Sequence, residues 1–299
     1  MSYPRALLLT AITMVAFASN SLLCRAALRG ASIDAAAFTA LRLASGAVML
    51  ALLSRLRRGR DRAPGSWRSA LALFAYAACF SFAYLSLPAA TGALLLFGAV
   101  QATMIGHGIS AGERMGRWQW FGVLLALGGL IGLLLPGLSA PPLVGAVLML
   151  GAGVAWGVYS LRGRRATNPV GTTAGNFLRA TPFALALVLP FWRQLAVTPR
   201  GALLAVASGA LASGLGYTIW YLALPALKAT QAATVQLSVP VIAGLGGVLL
   251  LGEPLGLRLA LASLAILGGI ALVILERRAA PGAVAVAPEP ATLTANDGG

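Results

Sequence analysis

The chain consists of ten long apolar runs, separated by short gaps that hold most of its charges. A membrane-spanning helix needs roughly 20 mostly apolar residues to cross about 30 Å of hydrocarbon, and each run has about this length. Short gaps with proline, such as "LPAAT" and "LPGLSAPPL", are typical of helical hairpins that turn at the membrane surface. The pattern therefore predicts an all-α membrane protein with ten transmembrane helices, over residues 6–24, 34–54, 67–87, 90–110, 117–135, 142–161, 172–191, 202–223, 229–251 and 256–275.

Composition and charge agree with a chain that lies in lipid. Apolar residues make up 59% of the sequence and charged residues 10%, which is far from the composition of a soluble domain. A net charge of +15 would suggest nucleic-acid binding in a soluble protein. Here, with the N-terminus placed inside, 15 of the 22 Lys and Arg residues fall in gaps on that side and 5 on the other. This bias predicts cytoplasmic N- and C-termini and no nucleic-acid partner.

One short phrase occurs twice, as "YLSLPA" from Tyr84 and as "YLALPA" from Tyr221, 137 residues later. The same separation relates Arg25 to Arg162 and Arg42 to Arg179, so the register extends over three predicted helices. After a shift of three residues, the register resumes at a separation of 140. It then relates the "GE" at Gly112–Glu113 to Gly252–Glu253, and "LGGL" at 127–130 to "LGGI" at 267–270. The chain is thus predicted to be a tandem duplication of a five-helix unit.

A unit with an odd number of helices enters the membrane from the opposite side when it is repeated, so the two halves are predicted to be inverted repeats. We assign residues 5–138 to the first repeat, 139–278 to the second, and 279–299 to a disordered tail rich in Ala, Pro and Gly. Inverted repeats are typical of carriers that work by alternating access, because exchanging the conformations of the halves turns an outward-facing cavity into an inward-facing one.

The repeated turn, the "GE" and the "GG"-bearing last helix resemble the EamA-type members of the drug/metabolite transporter (DMT) superfamily. The resemblance covers residues 5 to 277, and the whole sequence is similar to bacterial aromatic amino-acid exporters of the YddG type. It implies a ten-helix exporter in the bacterial inner membrane, with a central cavity formed mainly by the third and fourth helix of each repeat and by the first. The second repeat has Pro240 in its fourth span, where the first repeat has no proline, so only this half carries an evident hinge signal.

Aromatic and neutral polar side chains are the best candidates for binding a substrate. In the third spans they recur at helical spacing and share one face in each repeat, which would suit an amphipathic solute. Packing between helices is the alternative for these faces, and interhelical hydrogen bonding for the amides. The candidates are Tyr76, Phe80, Tyr84, Ser213, Tyr217, Trp220 and Tyr221 in the third spans, Asn20, Trp156 and Tyr159 in the first, and Gln101, Gln236 and Ser238 in the fourth.

Ionisable residues within the spans are few, and each has a structural alternative. His107 could respond to pH on the substrate path, or lie at a helix end with its hydrogen bonds satisfied. Arg42 and Arg179 could bind a carboxylate, although anchoring at the membrane surface is favoured. Glu113 and Glu253 are predicted to cap the helices that follow them, and proton coupling is the alternative role.

None of the seven acidic residues lies in the middle of a span, which favours facilitated transport or coupling through His107 over a carboxylate proton relay. The same absence disfavours the first alternative function, efflux of cationic drugs. The second alternative is a membrane subunit that does not transport. An enzyme is not predicted, because the single histidine and two isolated cysteines offer neither a catalytic cluster nor metal-ligand spacing. We expect a monomer with a small-molecule substrate, without a cofactor or metal.

Overall fold

The computed structural model describes residues 3–56, 65–112, 115–135, 140–163, 166, 168–223, 226–227 and 235–276. Within these residues the chain forms ten successive long helices, and the seventh continues into a short 3₁₀ helix, Leu189–Gln194. They are α1 (Tyr3–Arg29), α2 (Ala35–Leu56), α3 (Trp67–Ala83), α4 (Ala89–Ser110), α5 (Arg117–Leu134), α6 (Leu143–Gly163), α7 (Pro169–Val188), α8 (Pro199–Ala223), α9 (Ser238–Leu251) and α10 (Leu257–Glu276).

Each predicted apolar run overlaps one helix, so the prediction of ten helices is confirmed; the first part of the run 229–251 lies outside the described residues. Eight helices are long and apolar enough to cross a membrane, and α3 and α9 are shorter apolar helices. α3 ends at Ala83 because Leu85 to Pro88 form the turn of the repeated phrase, and Pro88 then precedes the first residue of α4. α8 contains a π-helical segment, Ala207–Leu215, which the hydrophobic pattern does not predict.

Contacts between helices follow the repeat symmetry. α3 packs against α6 just as α8 packs against α1, and α4 packs against α6 just as α9 packs against α1. α3 also meets α7, as α8 meets α2. Equivalent helices contact each other directly in the pairs α2–α7, α4–α9 and α5–α10. Apart from α4–α10, each of these contacts between the repeats has its counterpart, as a pseudo-two-fold axis between inverted repeats produces.

The pair α5–α10 packs backbone to backbone where Gly122 faces Gly269. A Cβ on Gly122 would lie 2.5 Å from the carbonyl oxygen of Gly269, and a Cβ on Gly269 would lie 2.4 Å from that of Gly122. Small residues allow membrane helices this close approach. On the outside of the bundle, Leu249 and Leu250 are 80% and 74% exposed, which fits a surface that contacts lipid.

The bundle has two ends. The N-terminal face is the end at which α1 begins, and the distal face is the opposite end. Since consecutive helices alternate in direction, the connections α1–α2, α3–α4 and α9–α10 lie at the distal face. There the backbone N–H of Asp34 donates to the carbonyl oxygen of Ala196 at 3.0 Å, which joins the α1–α2 and α7–α8 connections.

Candidate functional site

A central cavity of about 430 Å³ lies between the two repeats. α1, α3, α4, α6, α7 and α8 all contribute to its wall, and Gln236 completes it just before α9. Towards the N-terminal face the cavity reaches Gly163 at the end of α6 and the connecting residues Ala166 and Leu227. The volume falls in the range of pockets that bind small molecules.

Trp156 lies at the centre of an aromatic cluster that joins the repeats across the cavity wall. Its ring stacks on Tyr159 and Tyr217, with centroids 5.4 and 5.3 Å apart. Tyr76, from the first repeat, tilts against the same indole at 4.8 Å, and Phe80 lies 5.4 Å from Tyr76. These rings give the wall flat apolar surfaces on which the apolar part of a solute could stack.

Neutral hydrogen-bonding groups make up the polar part of the wall. Asn20 Oδ1 accepts hydrogen bonds from Ser208 Oγ at 2.9 Å and Ser213 Oγ at 3.4 Å, both on the π-helical segment of α8. Thr173 Oγ1 and the Tyr221 hydroxyl lie 3.4 Å apart. Among the described residues that line the cavity there is no Asp, Glu, Lys, Arg or His.

The structure brings ten of the fourteen predicted substrate-binding residues together around this cavity. These are Asn20, Tyr76, Phe80, Gln101, Trp156, Tyr159, Tyr217, Trp220, Tyr221 and Gln236. Their contact with a substrate stays a prediction. The other four, Tyr84, His107, Ser213 and Ser238, are placed outside the lining.

Local packing explains why these four do not reach the cavity. Tyr84 is fully buried in the α3–α4 turn, where its ring covers Gly92 and its hydroxyl donates to the Ala89 carbonyl oxygen at 3.3 Å. Ser213 is fully buried behind Asn20. His107 is exposed near the end of α4, and the Ser238 hydroxyl donates to the Val235 carbonyl oxygen at 2.7 Å.

The predicted hinge residue, Pro240, is the third residue of α9 and is buried. Helical structure is interrupted at Leu237, directly before α9 begins. Pro240 has no N–H to donate to the carbonyl oxygen of Gln236, so a break at this point agrees with the missing hydrogen bond. That the helix also bends here during transport stays a prediction.

Sequence reasoning missed the contribution of α7. Thr172, Thr173 and Asn176 line the cavity from this helix, whereas only the first, third and fourth helices were expected to form the wall. Asn176 Nδ2 donates to the Tyr159 hydroxyl at 3.4 Å, which connects α7 to the aromatic cluster. The signal was present, because three polar residues within five positions of an apolar span favour a face turned away from lipid.

The distal end of the bundle is closed by what we call the distal latch, made of Arg25, Glu253 and the α3–α4 turn. Arg25 Nε donates to Glu253 Oε1 at 2.9 Å, and Arg25 Nη1 donates to the Tyr84 and Leu85 carbonyl oxygens at 3.0 and 3.3 Å. Glu253 Oε2 accepts from the backbone N–H of Ala89 at 2.7 Å. The two side chains are 13% and 7% exposed.

The prediction that Glu253 caps its own following helix is therefore wrong. α10 begins only at Leu257, and Glu253 instead caps the N-terminus of α4, in the other repeat. Gly252, in the left-handed region with φ 62°, ends α9 and turns the chain so that the carboxylate points back into the bundle. Glu113, the equivalent residue, lies outside the described residues.

The anchoring role expected of Arg42 is also wrong. Its side chain is only 2% exposed and does not reach the membrane surface. Arg42 Nη2 donates to the Tyr76 hydroxyl at 2.8 Å, and the guanidinium carbon lies 4.7 Å from the ring centroid of Phe80. Its equivalent, Arg179, is partly exposed, donates to the Gly175 carbonyl oxygen at 3.1 Å and lies over the exposed ring of Trp67. Its role as an anchor stays a prediction.

Comparison with known proteins agrees with this architecture. Residues 4–135 and 143–275 match the EamA-like transporter family. Over 275 residues the chain is 61% identical to uncharacterized protein PA1977 of Pseudomonas aeruginosa, which covers 91% of this chain and 96% of that protein. The threonine/homoserine exporter RhtA of Salmonella typhimurium is 34% identical over 142 residues, or 44% of this chain and 46% of RhtA. A solved crystal structure shares the fold with a TM-score of 0.68, at 21% identity over 94% of this chain and 100% of that one.

Proposed function

The chain belongs to the EamA-like transporter family of the DMT superfamily, and from this premise we propose that it exports small amphipathic metabolites, foremost amino acids including aromatic ones, from the cytoplasm. The observation that carries the proposal is the cavity between the repeats, with its aromatic rings and neutral polar groups. The carrier would act as a monomer in the bacterial inner membrane, since the cavity is built from one chain. The excess of basic residues at the N-terminal face supports a cytoplasmic position for that face.

The volume and the lining of the cavity support amino acids as substrates. Trp156, Tyr76 and Tyr217 offer ring surfaces for an apolar side chain, and Asn20 and Thr173 offer groups that hydrogen-bond to a polar end. RhtA, named as an exporter of threonine and homoserine, supports the same class of substrate. A lipophilic cation is the competing substrate, but a cation in a low-dielectric cavity needs a carboxylate as counter-charge, and none is among the described lining residues.

The difference between the two ends of the cavity supports alternating access. The wall reaches the N-terminal face, whereas the distal latch closes the other end. This difference supports the proposal that substrate enters from the N-terminal, cytoplasmic face. The repeat register assigns the counterparts of Arg25, Ala89 and Glu253 to Arg162, Ala226 and Glu113 at the N-terminal face. We propose that this second set closes the N-terminal face when the distal latch opens.

Arg162 is available for such a change. Its side chain is exposed, and its hydrogen bonds to described residues go to two serines of the first repeat, Ser69 Oγ at 2.9 Å and Ser66 Oγ at 3.3 Å. These neutral contacts at a water-exposed site are weak compared with a charge-assisted bond to a carboxylate. Exchanging them for an ion pair is thus a small local change.

A flux assay in proteoliposomes tests the function. Liposomes are loaded with labelled threonine, homoserine, phenylalanine or tryptophan, or with a labelled lipophilic cation, and efflux is followed with and without a pH gradient. We expect efflux of at least one amino acid and none of the cation. Efflux of the cation alone would favour the drug carrier, and no efflux of any solute would favour the non-transporting subunit. Trp156→Ala, which removes the centre of the aromatic cluster, should reduce amino-acid efflux about tenfold.

A further inference from the structure

We propose that Arg42 and Tyr76 form the subsite for the carboxylate of the substrate. The inference rests on the proposed carrier function. It identifies a free carboxylate as the group of the solute that the cavity recognises. The apolar side chain of the same solute would stack on the aromatic cluster. Arg42 itself is not part of the cavity wall, so it acts through Tyr76 as a positioning residue.

The position of Arg42 relative to the cavity is the first observation. Its guanidinium carbon lies 4.7 Å from the ring centroid of Phe80 and 5.1 Å from that of Tyr76, and both rings line the cavity. The cation is therefore one side-chain layer behind the wall. At that distance, in a medium of low dielectric, its charge raises the potential inside the cavity and attracts an anion.

The second observation is that this buried charge has no counter-ion in the described part of the chain. Arg25 and Glu253 form an ion pair at the distal face, and no described carboxylate pairs with Arg42. Ring faces and one hydroxyl stabilise the guanidinium only in part. A charge buried in this way is costly, and such residues within a membrane are most often functional.

Two hydrogen-bond donors at this place lack an acceptor among the described residues. Arg42 Nη1 is shielded from solvent and has no partner. The Tyr76 hydroxyl accepts from Arg42 Nη2, which leaves its own proton free, and no described group takes it. A carboxylate has only acceptor sites and is attracted by the cation. A substrate carboxylate inside the cavity would accept the Tyr76 proton and lie close to the Arg42 charge.

Arg179 provides a matched control, because it has the same register position in the second repeat. It bonds to the carbonyl oxygen of Gly175 in its own helix and lies over Trp67 at the outside of the bundle. A general effect of losing an arginine from a second span would appear in both variants. An effect on carboxylate recognition would appear only in the Arg42 variant.

Equilibrium binding of paired probes tests the subsite. The protein in lipid nanodiscs is titrated with labelled tryptophan and tryptamine, and with threonine and 1-aminopropan-2-ol, so that each pair differs by the carboxylate. For Arg42→Gln we expect the affinity for the amino acids to fall at least tenfold, while the affinity for the amines, which are cations at neutral pH, does not fall. Tyr76→Phe should give a smaller loss with the same selectivity, and Arg179→Gln should bind like the parent.

Thermal unfolding separates this role from a structural one. Arg42→Gln removes a buried cation without a counter-ion and keeps a donor for Tyr76, so we expect it to be at least as stable as the parent. Equal loss of both members of a probe pair, or unchanged amino-acid binding in Arg42→Gln, would overturn the subsite alone. Absence of amino-acid binding and flux in the parent would instead refute the carrier proposal, and the subsite with it.

Discussion

The two faces of the bundle are built from equivalent residues, yet they are in different states. At the distal face Arg25 bonds to Glu253 and to the carbonyl oxygens of the α3–α4 turn, and the cavity ends beneath them. At the N-terminal face the equivalent Arg162 is exposed and bonds to two serines, and the cavity extends to the connecting residues. One sequence pattern thus supports both a closed and an unlatched arrangement, which is what a carrier with two inverted repeats requires.

The comparison also explains why the chain contains nearly the same six-residue sequence twice, as YLSLPA and YLALPA. In "YLSLPA" the carbonyl oxygens of Tyr84 and Leu85 accept from Arg25, and the N–H of Ala89 donates to Glu253. The turn therefore carries the acceptors and the donor of the distal latch. The copy that begins at Tyr221 would supply the same groups at the N-terminal face. The two halves of the chain therefore have a physical reason to share this turn sequence.

The largest effect is expected from Glu253→Gln. Loss of the charge leaves Arg25 partly buried without a counter-ion, which costs about 2 kcal/mol after allowance for its partial exposure. The distal face should open, and net efflux should fall at least tenfold because the closed state is lost. Ser21→Cys, in a background without Cys24 and Cys79, should then react with an impermeant thiol reagent from the distal side. Arg25→Lys, which keeps the charge, should be much closer to the parent, and equal labelling in all three proteins would contradict the latch.

A smaller effect is expected from Arg162→Ala. The exposed side chain contributes little to folding, so the free energy of unfolding should change by less than about 0.5 kcal/mol. Efflux should nevertheless fall about fivefold, because the N-terminal face could no longer close around a cation. Arg193→Ala, an exposed arginine at the other face, serves as the control. Normal efflux in Arg162→Ala would break the proposed equivalence of the two ends.

Gly252→Ala should act through the backbone. With φ at 62°, an alanine here is strained by about 1 kcal/mol, and the strain bears on the turn that aims Glu253 at Ala89. We expect a lower melting temperature and a distal face that opens more readily than in the parent. Gly268→Ala is a suitable control, because a Cβ added there meets nothing within 4 Å. A normal melting temperature and thiol accessibility for Gly252→Ala would remove this turn from the latch.

The smallest effects on efflux are expected when the two tyrosines at equivalent register positions, Tyr84 and Tyr221, are each replaced by Phe. Tyr221 lines the cavity, whereas Tyr84 is buried in the latch turn and makes one long hydrogen bond to Ala89. Tyr84→Phe should change efflux by less than twofold, and Tyr221→Phe should raise the substrate concentration for half-maximal efflux about threefold. The reverse order would mean that the cavity wall extends further towards the distal face than the structure shows.

Hydropathy was sufficient to predict the helices, because they depend on local composition. The repeat register was sufficient to predict the duplication, because it appears as repetition in the sequence. The environment of a single residue was not readable in that way. Arg42 and Arg179 have the same register position, yet one points into the core and the other lies over Trp67. Nothing in the neighbouring sequence distinguishes the two, since burial depends on which helix packs alongside.

The same limit applies to contacts between distant segments. Glu253 was expected to cap the nearest following helix, but its partner Ala89 is 164 positions away in sequence. The π-helical segment of α8 lies where Gly209 meets the backbone of α2, and a Cβ there would be 2.1 Å from the Arg42 carbonyl oxygen. Such features follow from packing between helices, so they appear only when the helices are placed together.

The most direct test of alternation between the two faces is a pair of spin-label distances in proteoliposomes, one between positions 86 and 255 at the distal face and one between positions 115 and 226 at the N-terminal face. In the parent we expect a short distal distance and a long N-terminal one. In Glu253→Gln we expect the distal distance to lengthen and the N-terminal distance to shorten together. A distal opening without closure of the N-terminal face, or no change in either distance, would contradict the account.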